Sequence, residues 1–599
     1  MQTSPFRLPN VTPFRLLERA AERITGLHTL DTYYRQLPRH LDTKSFLRHT
    51  LEKLGVQYQV SAGHLSDIPA TGPLVIVANH PLGAVEGVIL AEMLLQVRPD
   101  VKILANQFLK RLPELAPLFI SVDVFEGKNA VGANIKALRE GLKHLHNDGV
   151  LLVFPAGEVS TFDEQGQLND KPWSRSVAKL IKRSNANALA MHINGHNSKS
   201  FYWAGMVHPY LRTAMLGREM LNKTNQVIDI SIGELIDRKE IENLSSEQHI
   251  VDYLRLNTYL LAPRAEHQAP SLPHHTPVIA PIIQDRLISD IHGLATSAHL
   301  LSFKNFDVYC CDSTAIPNVL QEIGRIRETN FRLVNEGTGK ECDLDEFDHH
   351  YQHLFIWDNE AQRLVGAYRL GLTDQIVQQK GVKGLYSRTL FHYDHKLISQ
   401  FGHAIEMGRS VIDLPYQRSL TALLLLWKGI ATYAYRNPQY THLFGPVSIS
   451  SEYSPTAREL MVSTLEMHHF DQQSASLVKA TNPLKKSHRN FWRADMLSSL
   501  ADIQLLSKLL TRLGQQSIPV LLKQYLNLNG KLISFNVDKD FNDALDGLIV
   551  VDLRKVPQRT LAKYMGKEES LAYLKNIKRN SSTPFLVARV SEKKKAENG

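Results

Sequence analysis

The sequence predicts an α/β protein of two domains with different architectures. Three observations predict this. Before residue 262, apolar strand-like runs alternate with helical segments. After residue 284, several strand-like runs precede one long apolar helix. Between them lies APRAEHQAPSLPHHTPVIAPI, rich in Pro, His and Ala and without periodicity. Proline fixes φ and removes backbone donors, so this stretch reads as a semi-rigid linker. The expected layout is a domain over 1–262, a linker over 263–284 and a second domain over 285–599.

In the first domain, the helical segments TPFRLLERAAERITG and TKSFLRHTLEKLG come first. GPLVIVANHPLG then joins an apolar run to a polar turn, followed by the helix AVEGVILAEMLLQV. KILAN, PLFISVDVF, the helix GANIKALREGLKHLHNDG, the strand VLLVFPAGE, the helix SRSVAKLIKRS and the strand ALAMHING complete the pattern. Such alternation means a mainly parallel sheet, whose ligands sit beyond the carboxyl ends of the strands. NHPLGAVEG and FPAGEVS both fall there. In the second domain FDVYC, HLFIWD, RLVGAYRL, GLYSRTLF and HAIEMGRSVI read as strands. The helix SLTALLLLWKGIATYAYRN and the strand THLFGPVSIS follow, giving an α+β sheet domain. Residues 456–599 are a mixed remainder ending in a lysine-rich tail.

At 599 residues the chain exceeds one core, and about two to four domains are expected. The net charge of +9 favours acidic partners such as anionic lipid or an acidic carrier protein, or is simply a soluble surface. Three cysteines, Cys310, Cys311 and Cys342, with no CxxC pair, speak against a disulfide framework and a thiolate zinc site. The N-terminus lacks a signal-type apolar region, and no run of about 18 apolar residues predicts a spanning helix. No basic patch with interleaved aromatics points to nucleic acid.

Two constellations carry chemistry. In NHPLGAVEG, His80 follows a strand, Pro81 and Gly83 shape a turn, and Glu86 opens a helix six residues on. Acyl transfer to an alcohol needs a base for the hydroxyl proton, which neutral imidazole supplies, and a carboxylate on the other ring nitrogen fixes the tautomer. A helix-capping turn with a chance histidine is the plainer reading. FPAGEVS ends a strand with Pro155, Gly157 and Glu158, where backbone amides and a carboxylate suit a polar head group. An ordinary strand-to-helix turn is the alternative. In HAIEMGRSVIDLPYQR, strand alternation puts Glu406 and Gly408 on one face and Met407 and Arg409 on the other. Glu406 suits proton removal from an amine, and Arg409 suits a carboxylate or phosphate. A strand-edge ion pair, with Arg418 nearby, is the plainer reading.

NHPLGAVEG, FPAGEVS and ALAMHINGHNS together resemble the glycerolipid-type acyltransferase family, with LRTAMLGREMLNK like one of its subgroups. The resemblance covers roughly residues 30–235. It implies that His80 and Glu86 are catalytic, and that Asn79, Gly83, Pro155, Gly157 and Glu158 shape the substrate site. Glu86 replaces the family's Asp, Ala156 stands at its FPEG glutamate, and PLFISVDVF offers no match for its acceptor-binding Arg. VGAYRL, LYSRTLF, EMGRSVI, LLLLWKGIATYA and THLFGPVSIS resemble the N-acyltransferases of ornithine-lipid synthesis. These are similar to acyl-homoserine-lactone synthases and have the acetyltransferase-like, GNAT-type fold. QYLNLNGKLISFNVDKDFNDALDGLIVVDL matches the end of that family. Its Glu-x-x-Arg pattern implies Glu406 as catalytic and Arg409 as substrate-binding, and Arg325 and Arg327 resemble residues of its N-terminal helix.

The order of the halves resembles the bifunctional ornithine lipid synthases. That resemblance implies N-acylation of an amino acid, ornithine by default while glycine, lysine or glutamine would need only pocket changes, by 3-hydroxyacyl-acyl carrier protein at the second domain, then O-acylation of the lyso-lipid at the first. It implies no metal or redox cofactor, only a phosphopantetheine thioester as co-substrate. The partners it implies are acyl carrier protein and the inner-membrane lipid surface, on the cytoplasmic face. KSHRNFWR and SEKKK are candidate lipid contacts. The rival reading is a 1-acyl-glycerol-3-phosphate acyltransferase fused to a non-catalytic acetyltransferase-like module.

Overall fold

Every residue of Leu74–Ala78 and of Val150–Val153 is buried. Uninterrupted apolar strands of this kind occupy the middle of a parallel sheet covered on both faces. The computed structural model, which describes residues 6, 15–38, 40–106, 112–122, 130–163, 166–263, 276–486 and 492–580, places them side by side. The first sheet holds β1 (Gln57–Ala62), β2 (Leu74–Ala78), β3 (Val101–Asn106), β4 (Phe119–Val122), β5 (Val150–Val153), β8 (Asn187–Ile193) and β9 (Val227–Ile236). Their order is β1-β9-β8-β2-β5-β3-β4, and only the β8–β9 pair is antiparallel. A two-stranded hairpin, β6 (Thr161–Phe162) with β7 (Leu168–Asn169), stands beyond the end of β5. The helix Ala84–Leu94 leaves the carboxyl end of β2 and buries most of its length, including Ile89, Leu90, Met93 and Leu94.

The second sheet has eight strands in the order β10-β11-β12-β13-β15-β16-β19-β18. They are β10 (His299–Phe303), β11 (Phe306–Asp312), β12 (Gln352–Asp358), β13 (Arg363–Leu372), β15 (Ala404–Ile412), β16 (His442–Ile449), β18 (Lys531–Asp538) and β19 (Ala544–Asp552). A small pair, β14 (Phe391–His392) with β17 (Lys479–Ala480), lies outside it. The long apolar segment forms the helix Leu420–Arg436. A Cβ on its Gly429 would stand 2.8 Å from Val308 and 3.0 Å from Leu354, so glycine there lets the helix lie close on β11 and β12.

The chain divides into two compact units, one of residues 1–266 with 488–513 and one of 267–487 with 514–599. The segment 488–513 therefore groups with the first unit, although the sequence reading put it in the second domain. Buried charge ties it there. Arg512 donates to Glu240 at 2.7 and 3.0 Å, and to Tyr253 and Asn257 at 3.0 Å each. Of the expected linker, 264–275 lies outside the described residues, as do SEKKK and most of KSHRNFWR.

GLYSRTLF, expected as a strand, is instead a turn at Val382–Gly384 and a helical turn at Ser387–Leu390, with only Phe391 entering β14. The cause is local. The N–H groups of Tyr386 and Ser387 donate to the Glu406 carboxylate rather than to a strand neighbour.

Candidate active sites

In the first unit, the turn after β2 is built by three side chains that bond to backbone. Asn79 donates to Ile193 O at 2.9 Å and accepts from Ile193 N at 2.7 Å, pinning the turn to β8. Asn197 donates to Pro81 O at 3.3 Å and Leu82 O at 3.2 Å. Gly83 has φ 99°, a conformation that favours glycine, and a Cβ there would press on the end of the Leu216 side chain at 2.6 Å. The helix that follows returns Glu86 to the turn, where Oε1 accepts from Leu82 N at 3.1 Å. The same oxygen lies 2.8 Å from His80 Nδ1. Distance rather than alignment defines this contact, since Nδ1 completes no aligned hydrogen bond. Closing the turn and facing the histidine are thus one carboxylate's two jobs.

Glu86 is fully buried, and the His80 side chain is 19% exposed. The ring lies against Phe154 with centroids 4.6 Å apart. Burial pushes the imidazolium pKa down, but Glu86 and then Asp170 outweigh it, and the value stands above that of an ordinary histidine. Asp170 accepts from His80 N at 3.2 Å and from Trp173 Nε1 at 3.0 Å, and it also accepts from the Ser160 hydroxyl. Ser160 N donates to His80 O at 2.8 Å. These bonds hold the β5 loop against the β2 turn.

That loop turns at Gly157, φ 71°, whose N–H donates to Phe154 O at 3.0 Å. Pro155 O accepts from Ser174 N at 2.9 Å. Glu158 takes Lys171 at 2.6 Å and Arg212 in a second, closer ion pair. Burial raises its pKa, but the two cations outweigh it and hold the carboxylate ionised.

In the second unit, Glu406 on β15 is 1% exposed. It accepts from Ser387 N at 2.8 Å, Tyr386 N at 3.0 Å and the Tyr351 hydroxyl. Tyr351 reaches it across Gly371, where a Cβ would stand 2.4 Å from the phenol ring. Register between β13 and β15 slips after Glu406: Arg369 opposes Gly408, while Ala367 opposes Val411. Three residues of β15 span two of β13, a bulge centred on Arg409 with φ 51°. Strict alternation would set Glu406 and Arg409 on opposite faces. The bulge instead brings both to Tyr386, since Arg409 donates to its hydroxyl at 3.3 Å and its guanidinium lies 4.9 Å from the ring.

Around Arg409 runs a buried network. Its guanidinium meets Asp343 at 3.3 Å and Asp345 at 3.5 Å. Arg369 bridges Asp345 and Asp348, and Arg327 bonds Asp348 at 2.8 Å. Burial raises the Asp348 carboxyl, but Arg327 and Arg369 together hold it far below the usual carboxylate range. Beyond Arg409 stand Glu336, Asp538 and Asp546. Ser448 donates to Glu336 at 2.8 Å, and Ser448 and Asn536 flank Asp546 in register. Burial and repulsion from Asp538 and Glu336 push Asp546 well above its ordinary pKa. Burial lifts Glu336 to about 7. The buried Asn536 amide nitrogen has no hydrogen-bond partner among the described residues.

Parallel pairing of β15 with β16 covers only Ala404–Glu406 with His442–Phe444. Beyond it the strands part, and β16 continues with β19 alone.

Residues 8–267 match the family model described as Acyltransferase, and 326–428 match that of the acetyltransferase (GNAT) domain. The chain is 31% identical over 268 residues to a glycine Nα-acyltransferase of Bacteroides thetaiotaomicron, covering 41% of this chain and 78% of that protein. The chain belongs to the family of that N-acyltransferase. It is also 24% identical over 248 residues to a lyso-glycine lipid O-acyltransferase of Phocaeicola vulgatus (38% of this chain, 86% of the relative). An L-ornithine Nα-acyltransferase of Agrobacterium fabrum is 27% identical over 256 residues (41% and 79%).

In this acyltransferase, then, an α/β acyltransferase domain precedes a GNAT-like domain. The structure brings together His80, Glu86, Asn79 and Gly83 in one turn, with Pro155, Gly157 and Glu158 in the loop clamped to it. It brings Glu406 and Arg409 together at Tyr386. Arg325 lies apart: on its helix it forks onto Glu322, at 2.9 and 2.6 Å, while Arg327, two residues on, enters the buried network. Arg418 is exposed. Sequence reading missed Asp170, Lys171, Arg212, Tyr351, Arg369 and the acids at 343, 345 and 348. The run DLDEFD, four acids in six residues, was the available signal for the last set.

Proposed function

We propose that this acyltransferase makes a two-chain aminolipid in two steps, with ornithine as the amino acid. The observation that carries the lipid step is the His80–Glu86 contact at 2.8 Å, with the His80 side chain still partly exposed. With Nδ1 turned to Glu86, the other ring nitrogen is left to take a proton from a lipid hydroxyl. The alkoxide oxygen attacks a thioester carbonyl, the C–S bond breaks, and the imidazolium returns its proton to the thiolate. The cationic side of the Glu158 cluster, Lys171 and Arg212, suits an acceptor bearing a carboxylate.

In the second unit β15 and β16 pair only as far as Glu406 and Phe444, and an unpaired strand edge would suit the amide-bearing phosphopantetheine arm of acyl carrier protein. The amine of the amino acid attacks the 3-hydroxyacyl thioester and the thiolate leaves. The amine's proton passes to the Tyr351 oxygen as the phenol proton passes to Glu406. The acids Glu336, Asp538 and Asp546 support ornithine over glycine, because a second ammonium would neutralise carboxylates that otherwise repel one another. Neither step requires a metal or redox cofactor. Among the described residues no helix is long and apolar enough to cross a membrane. We place the enzyme peripherally on the cytoplasmic face of the inner membrane, where its product partitions.

Expression in a host that lacks aminolipids tests this. Phosphorus-free lipid that releases ornithine on hydrolysis is expected. Glycine lipid alone would overturn the amino-acid assignment, and phosphatidic acid alone would favour the 1-acyl-glycerol-3-phosphate reading.

A further inference from the structure

Two short helices, Lys199–Val207 and Pro209–Ala214, follow β8 and present large apolar side chains outward. Trp203 is 72% exposed, Met206 82%, Val207 65% and Leu211 49%. Positions 203, 206 and 207 share one helical face, while Phe201 faces inward and is fully buried. Phe162 of β6, itself exposed, packs against Tyr202 of the same helix with ring centroids 4.6 Å apart. A contiguous exposed patch of this kind marks an interaction surface.

Charge selects the occupant. Residues 194–226 carry Lys199, Arg212, Arg218 and Lys223 but one carboxylate, Glu219, which is fully buried and accepts from Ser198. Arg212 is paired with Glu158 and Lys223 is buried, so the exposed cations beside the apolar face are Lys199 and Arg218. An apolar face with an indole and two exposed cations fits the interface of an anionic bilayer. Helices of nine and six residues are far too short to span about 30 Å of hydrocarbon, so they lie in the interface.

The patch is joined to the first active site. Asn197, just before it, holds the His80 turn through Pro81 O and Leu82 O. Arg212 within it pairs with Glu158, and Leu216 just after it fills the space beside Gly83.

We propose that residues 199–214 are the surface through which the chain docks on an anionic bilayer, inserting Trp203, Met206, Val207 and Leu211 and presenting the His80 turn to lipid. This rests on the reading that the first unit acylates a lipid alcohol.

The full chain is tested by sedimentation with vesicles of equimolar phosphatidylglycerol and phosphatidylcholine, and with phosphatidylcholine alone. Wild type is expected to bind the anionic vesicles preferentially. The double variant Trp203→Ser/Met206→Ser is expected to bind at least about tenfold more weakly, while retaining acylation of a short-chain, water-soluble lyso-acceptor. Trp203→Phe is expected to bind like wild type but to lose most of the tryptophan quenching caused by brominated lipid. Equal vesicle binding by the double variant, or unchanged quenching in Trp203→Phe, would overturn the docking surface. So would a wild-type chain that ignores vesicles, or a patch that serves only to pair two copies of the chain. Vesicle binding through Trp203 by a chain that acylates no lipid alcohol would leave the surface standing and remove the functional reading.

Discussion

At the scale of single residues, the first site rests on how one carboxylate is shared. Glu86 caps the turn through Leu82 N and faces His80 Nδ1. Because Glu86 raises the imidazole pKa, the fraction of neutral base falls as pH drops through that raised value. The associated stability has the opposite sense: it is present below the ordinary histidine pKa and is lost as pH rises through the raised one. Glu86→Gln is therefore expected to move the acid limb of the kcat/KM profile for O-acylation to lower pH. It should also lower the rate by about 10²-fold, because the amide no longer selects the tautomer or stabilises the imidazolium. A pH–rate profile of the variant reads both effects. His80 and Glu86 were legible in the sequence because a turn of fixed length brings them together. Asp170 was not, since its place beside His80 depends on the β5 loop folding back ninety residues away. Arg325 and Arg327 were named together, but two residues on a helix differ by about 200° in direction, and only Arg327 enters the buried network.

At the scale of elements, a bulge and a glycine make the second site. Alternation along β15 was readable, but the extra residue at Arg409 reverses its consequence by turning that side chain toward Tyr386. A bulge leaves no mark in composition when its left-handed residue is arginine rather than glycine. The segment 384–391 read as a strand because Tyr, Thr and Phe favour pleated surfaces. Its amides were claimed by Glu406 instead. Gly371 is the second hidden requirement, as it leaves the space through which Tyr351 reaches that carboxylate. Gly371→Ala is expected to displace the phenol and cost roughly 1–3 kcal/mol of stability by overpacking. Its N-acylation rate should fall much further than its stability, while O-acylation persists. Denaturant midpoints beside separate assays of the two activities would reveal this split.

At the scale of the whole molecule, the α/β reading of the first half was legible because apolar runs alternate with helical segments there, and the α+β reading of the second because several strand-like runs precede one long helix. Residues 488–513 were not legible as part of the first unit, because Arg512 finds Glu240 across more than 250 positions of sequence. In the proposed function one chain holds two acyl-transfer sites used in sequence, with a single-chain lipid released between them. The most direct measurement supplies purified variants with ornithine and 3-hydroxyacyl- and acyl-loaded carrier protein, then resolves the lipids by mass. His80→Ala alone is expected to accumulate the N-acylated single-chain lipid, Glu406→Ala alone to yield none, and the mixture to restore the two-chain product. Two-chain lipid from His80→Ala alone would contradict the account.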